Sequence, residues 1–202
     1  MKVYKLFLGL SLLSIVLVSC KNNQKEETPS VETNEVTTPQ KAQKKILTEE
    51  DRKVIASVLA KVMSTPELKS FASAIVTVEA TELLSKEDGP YTVLAPTNAA
   101  FDAIPKEKMN PFLRPENKAN FGKLVKNHIV KGSFTSFDLI QNMKGSGKVE
   151  LETVGGAKLT ATREGTDIII TDANGKKAKI GTKDITGGNG IVHAIDAVLN
   201  IK

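Results

Sequence analysis

Residues 91–101 read YTVLAPTNAAF and residues 189–199 read NGIVHAIDAVL. In the first stretch Tyr91-Thr92-Val93-Leu94 is a short apolar run, preceded by Gly89-Pro90 and closed by Pro96, the pattern of a buried strand. Thr97 or Asn98 then caps a helix carrying Ala99, Ala100, Phe101 and Ile104, and Pro105 terminates it. The second stretch is apolar on both faces from Ile191 to Leu199, which predicts a central strand. Its period of two puts Ile191, His193, Ile195, Ala197 and Leu199 on one face, so His193 reads as a hydrogen-bonded core group. Asp196 falls on the other face among Ala194 and Val198, where a buried carboxylate needs donors such as backbone N–H groups.

Working outward, Thr48-Glu49-Glu50-Asp51 is a helix cap with acidic residues in the first turn. Val54, Ile55, Val58, Leu59 and Val62 follow at helical spacing and predict one helix with a core stripe. Thr65-Pro66 stops it and starts another, whose buried side carries Leu68, Phe71, Ala72 and Ile75. A further helix spans Pro115 to Asn127, His128-Ile129-Val130 forms a short strand, and Thr135 or Ser136 caps a short helix through Phe137, Leu139 and Ile140. After Gly145 the period switches to two: Val149, Leu151 and Thr153 alternate with charged residues, Gly155-Gly156 turns the chain, and Leu159 and Ala161 return. Ile168-Ile169-Ile170 precedes a hairpin turn at Asp172-Ala173-Asn174-Gly175. Helices first and strands later make an α+β domain with one core over residues 46–202.

Four separated blocks carry a family resemblance. YTVLAPTNAAF resembles the first signature block of fasciclin domains, and NGIVHAIDAVL resembles the closing one. His128-Ile129-Val130-Lys131-Gly132 matches the His-plus-Gly segment in the middle of the family, and Leu151 to Gly156 sits where these domains carry a Thr-Leu-Gly-like hairpin. The resemblance covers about residues 48–202. It implies a β-wedge or sandwich of short, mostly antiparallel strands with helices packed along one side. It also implies an extracytoplasmic adhesion or interaction module. Its motif residues are Thr97, Asn98, Phe101, His128, Gly132, Asn189, Gly190, His193 and Asp196, expected to be structural, with Thr97 and Asn98 explained by capping. Many adhesive members have a Tyr before the central His, implicated in receptor contact. Here that residue is Asn127, and the chain has no Arg-Gly-Asp, so the resemblance does not extend to integrin-type recognition.

The N-terminus carries a different message. Lys2 and Lys5 precede a mostly apolar run from Leu6 to Val18, shorter than the roughly 20 residues that a bilayer span needs. A basic start, a short apolar run and a small-residue end describe an export leader over 1–19. Leu17-Val18-Ser19-Cys20 resembles the lipobox of bacterial lipoproteins, with Cys20, the only cysteine, as the lipidated residue. Each buried methylene of an acyl chain contributes about 0.8 kcal/mol, so several chains on Cys20 anchor stably in a membrane. By the same resemblance Lys21 directs the protein to the outer membrane, on its periplasmic or surface face, and Glu26 and Glu27 faintly resemble surface-export signals. Residues 20–45 form a tether: Pro29 and Pro39 interrupt Thr, Glu, Asn, Gln and Lys, and too little apolar surface is present to offset ordering entropy.

Composition closes other routes. One cysteine excludes an intrachain disulfide and any multi-Cys metal site. From Ile46 onward 21 Lys/Arg face 19 Asp/Glu, a net of +2 that does not describe a nucleic-acid-binding stripe. No Gly-x-Ser-x-Gly or His-Glu-x-x-His motif is present. Gly145-Ser146-Gly147-Lys148 lacks the spacing of a phosphate loop, and Asp172 with Asn174 are too few for a calcium loop. The expectation is therefore no catalytic residue, metal or cofactor, and a protein or polysaccharide partner. Two other readings make distinct predictions. A small-ligand binder in the envelope needs a closed apolar pocket in the wedge, and an enzyme needs His128 or His193 with a pKa near neutrality.

Overall fold

The computed structural model of the chain describes residues 47–85 and 89–201, all within one unit, Lys45–Lys202. The expected leader, Cys20 and the tether lie outside the described residues.

Thr48 caps α1 (Glu49–Ala56): its hydroxyl accepts the Asp51 N–H at 3.1 Å and the Asp51 carboxylate accepts the Thr48 N–H at 3.0 Å. The expected single helix then breaks. Ser57 is extended, with ψ 161°, and the chain resumes as α2 (Val58–Ser64). The cause is tertiary. The Ser57 hydroxyl donates to the Val54 carbonyl at 2.6 Å and accepts the Ala60 N–H at 3.3 Å, serving both helices. From the far end of the chain, the Gly188 N–H donates to the Ala56 carbonyl at 2.6 Å and Asn189 Oδ1 accepts the Val58 N–H at 2.8 Å. The break turns Val54 and Ile55 out to 40% and 59% exposure, while Val58, Leu59 and Val62 are buried as expected.

A 3₁₀ turn, Pro66–Leu68, leads into α3 (Lys69–Thr77), which buries Phe71, Ala72, Ala74 and Ile75. Burial of a side chain such as Phe71 contributes about 2–3 kcal/mol. Next come α4 (Thr81–Ser85), β1 (Tyr91–Pro96), α5 (Asn98–Asp102) and α6 (Lys106–Met109). Another 3₁₀ turn, Pro115–Asn117, precedes α7 (Lys118–Lys126), then β2 (Ile129–Lys131) and α8 (Ser136–Ser146). Thr135 and Asp138 form the capping box of α8, and left-handed Gly147 ends it. The remaining strands are β3 (Lys148–Glu152), β4 (Lys158–Glu164), β5 (Asp167–Thr171), β6 (Lys177–Lys179), β7 (Ile185–Gly187) and β8 (Gly190–Ile195).

Two four-stranded sheets result, ordered β2-β1-β8-β7 and β3-β4-β5-β6. All pairings are antiparallel except β1 with β8, which run parallel from Tyr91↔Gly190 to Pro96↔Ile195. So β8 is central, as its two apolar faces imply, although it stops at Ile195 rather than Leu199. One face of the first sheet, with Val93, Ala95, Val192 and Ala194, packs against the helical layer of α2, α3 and α7. Leu94, Val130 and Ile195 on the other face meet Leu151, Leu159 and Ile170 of the second sheet. The α+β wedge is thus as expected, with one correction. The helices do not all lie on one side: α8 sends Leu139 and Met143 into the core between the sheets.

Candidate functional site

The two signature blocks meet in the β1–β8 pair, and their polar residues hold the surrounding elements in place. Thr97 is the cap of α5, its hydroxyl accepting the Ala100 N–H at 3.2 Å. Asn98 is not the cap. Its Oδ1 accepts the Ser70 N–H at 2.9 Å and its amide donates to the Pro66 carbonyl at 3.0 Å, clamping the start of α3. Phe101 packs half-buried against the helical core. Asn189 ties α2 to α4, its amide donating to the Leu84 carbonyl at 3.1 Å while its Oδ1 holds the Val58 N–H. Gly190 has φ +153°, and a Cβ there would lie 2.0 Å from the Tyr91 carbonyl oxygen, so β1 and β8 approach only because this residue has no side chain. Gly132 links strands through its carbonyl, which accepts the Thr92 hydroxyl at 2.8 Å. Asp196 differs from expectation. It is exposed, because β8 has ended, yet its Oδ1 still accepts the Lys179 N–H at 2.7 Å.

Both histidines are buried with both ring nitrogens engaged. His128 Nδ1–H donates to the Leu124 carbonyl at 2.9 Å and Nε2 accepts the Leu199 N–H at 3.0 Å. Its ring lies 5.8 Å from that of Phe71, and burial pushes its pKa down to about 4. His193 Nε2–H donates to the Phe134 carbonyl at 2.8 Å, and Nδ1 accepts the Asp184 N–H at 3.2 Å. Burial again lowers its pKa. Ser136 lies near, but its hydroxyl and N–H both donate to the Asp184 carboxylate, so Ser136, Asp184 and His193 do not form a nucleophile–base relay. Neither histidine has a lone pair or proton to offer a substrate, contrary to what the enzyme reading requires. Among the described residues no group of three or more His, Cys, Asp or Glu is placed to hold a metal. Between the two sheets, where the small-ligand reading looks for a closed pocket, Leu94, Leu159, Ile170 and Ile195 pack in one buried cluster.

Among the described residues one surface cleft, of about 500 Å³, opens beside Asn127. Asn120, Lys123 and Asn127 reach it from α7 and its end, Phe112 from the preceding loop, Asn174 from the β5–β6 turn and Asn200 from the C-terminal tail. Asn127 is only 7% exposed and sits under the β3–β4 turn. A Cβ on Gly155 would fall 2.1 Å from Asn127 Oδ1, so that close approach requires glycine. Asp172, expected only to turn a hairpin, fixes the far wall. Its buried carboxylate accepts the N–H groups of Asn174 at 2.8 Å, Lys176 at 2.9 Å and Asn200 at 2.6 Å. The Asp-x-Asn-Gly pattern signals the first of these bonds, an Asx turn, but the bond to Asn200 is invisible before folding.

Comparison with known proteins agrees with this architecture. The Fasciclin domain model matches residues 66–201, so the chain belongs to the fasciclin-domain family. Protein sll1483 of Synechocystis sp. is 31% identical over 133 residues, 65% of this chain and 67% of that protein. Transforming growth factor-beta-induced protein ig-h3 of Sus scrofa is 34% identical over 151 residues, and human periostin 32% over 133. This chain spans 20% and 14% of those two proteins. A FAS1 domain pair from the insect cell adhesion molecule Fasciclin I superposes with a TM-score of 0.63 at 20% identity, covering 71% of this chain and 50% of that one.

Proposed function

We propose that this protein is a non-catalytic adhesion or interaction module held at the bacterial cell envelope by lipid on Cys20 and carried away from the membrane by the tether of residues 20–45. The observation that carries the reading is the state of the two signature histidines. Every ring nitrogen of His128 and His193 is bound to backbone, so the motifs build a scaffold and leave recognition to the surface. The family supports the same role, since a structurally similar member is described as a cell adhesion molecule. The lipobox-like Leu17-Val18-Ser19-Cys20 and the outer-membrane preference of Lys21 supply the anchoring part. A protein or polysaccharide outside the cytoplasm is the partner.

Protease shaving of intact cells tests the placement, with a cytoplasmic marker reporting lysis. Loss of peptides from residues 46–202 is the expected result for a surface-facing domain, and protection until the envelope is opened assigns it to the periplasmic face. Cys20→Ser should release the protein into the soluble fraction. Retention of that variant in the membrane fraction would end the anchoring proposal.

A further inference from the structure

We propose that Asn174 is a self-modifying site: its side-chain amide deamidates spontaneously, and the carboxylate so formed loosens the C-terminal tail. The sequence contains Asn-Gly twice, at Asn174-Gly175 and Asn189-Gly190. Asparagine before glycine is the reactive pairing, because glycine has no Cβ to keep its own nitrogen from reaching the neighbouring side chain. The structure treats the two pairs in opposite ways. Asn174 and Gly175 are both exposed in the β5–β6 turn, and the Asn174 side-chain amide bonds to no described residue. A Cβ on Gly175 would meet nothing within 4 Å, so the turn can rearrange without displacing a neighbour. Asp172 holds it closed: its carbonyl accepts the Gly175 N–H at 3.0 Å and its carboxylate accepts the Asn174 N–H at 2.8 Å. Bonds in an exposed turn open locally, without unfolding of the domain. Asn189 has no such freedom. Its Oδ1 accepts the Val58 N–H, its amide donates to the Leu84 carbonyl, and Gly190 is pressed against the Tyr91 backbone. That pair reacts only when β1 separates from β8.

When the turn opens, the Gly175 main-chain nitrogen gives its proton to water and attacks Asn174 Cγ. The new N–C bond closes a five-membered imide, the Cγ–Nδ2 bond breaks, and Nδ2 takes up a proton and leaves as ammonia. Water then opens the imide at either carbonyl, its oxygen going to carbon and a proton to nitrogen. The products are aspartate and isoaspartate, and water is the only reagent consumed. Either product puts a negative charge beside the buried Asp172 carboxylate, which already accepts the N–H groups of Asn174, Lys176 and Asn200. Two carboxylates in that corner repel, and isoaspartate also adds a methylene to the main chain of a tight turn. Asn174 and Lys176 belong to the turn itself, whereas Asn200 is the one donor brought from elsewhere in the chain. Its release relieves the corner and frees the tail next to Leu199. Asn174 also lines the cleft beside Asn127, so the wall of the cleft gains a charge.

The test ages the purified full-length protein in mildly alkaline buffer and follows both Asn-Gly pairs by peptide mass spectrometry. A sample in urea gives the rate of each pair in the unfolded chain. Relative to those rates, Asn174 should react at least about tenfold faster than Asn189 in the folded protein. Equal relative rates at the two pairs would overturn the site. Hydrogen exchange reads the consequence. The Asn200 amide should exchange about five-fold faster in the aged protein than in the fresh one. Asn174→Gln, aged alongside, should keep its original rate, and fresh Asn174→Asp should reproduce the aspartate share of the effect. Both variants change an exposed side chain and leave the fold intact. Unchanged Asn200 exchange in a sample converted mostly at Asn174 would overturn the loosening. Equal acceleration in aged Asn174→Gln would overturn it too, by assigning the change to another residue.

Discussion

His128 Nε2 accepts the backbone N–H of Leu199 at 3.0 Å, a buried bond between residues 71 apart that joins the end of α7 to the tail leaving β8. The ring also spans to the Leu124 carbonyl, so one neutral imidazole satisfies a donor and an acceptor that water cannot reach.

His128→Ala leaves both of those backbone groups unpaired and opens a void against Phe71. The expected loss is about 3–5 kcal/mol, read as a lower urea midpoint with an unchanged m-value. A change under 1 kcal/mol would contradict the buried arrangement.

The same burial sets an acid limit on stability. His128 titrates at an ordinary 6.5 when unfolded and at about 4 when folded. The unfolded chain therefore binds the extra proton as pH falls through 6.5. Stability is fully present above that value and declines towards pH 4, by on the order of 3 kcal/mol. His193 shifts in the same direction and adds to the trend. Unfolding midpoints at pH 7.5 and 5 measure the loss, and the His128 ring signal should stay neutral at pH 5. A protonated ring in the folded state at pH 5 would contradict it.

Ile55→Ser should change stability by no more than about 0.5 kcal/mol, because the break at Ser57 exposes Ile55. Val58→Ala, three residues on, should cost roughly 1–3 kcal/mol. Comparable losses from both would restore a continuous helix with a single buried stripe.

That pair of residues also marks what a sequence conveys. Val54 through Val62 have the spacing of one amphipathic helix, and nothing local forbids it. The break is decided by Gly188 and Asn189, more than a hundred residues away, which supply hydrogen bonds to Ala56 and Val58. Elements with local causes were legible: the Thr48 and Thr135 caps, the buried β1, the hairpins after Gly147 and the centrality of β8. Short β7 lacks any apolar period and gives no local signal, and α8 is longer than the stripe from Phe137 to Ile140 implies. For the site, the burial and hydrogen bonding of His128 and His193 follow from their apolar neighbours in sequence. The cleft does not, since Asn174 and Asn200 come together only through the Asp172 carboxylate, and Asn127 meets them only once α7 is packed.

Asp172→Ala should remove three charge-assisted bonds at once and cost about 2–4 kcal/mol. Hydrogen exchange should accelerate at the amides of Asn174, Lys176 and Asn200 before it does in β1. Uniform acceleration throughout the domain would mean that Asp172 supports the whole fold and not one wall of the cleft.

The parallel pairing of β1 with β8 has a consequence for when the domain is made. Tyr91 finds its partner only at Gly190, 99 residues later, and β1 has no partner on that side until β8 arrives. A ribosome or secretion channel that releases the chain from its N-terminus therefore delivers nearly the whole polypeptide before the central strand pair can close. Such long-range closure is slow compared with helix formation. The closing signature block works in this sense as a completion check: a chain truncated before residue 190 carries every helix and one full sheet, yet lacks the strand that joins β1 to β7.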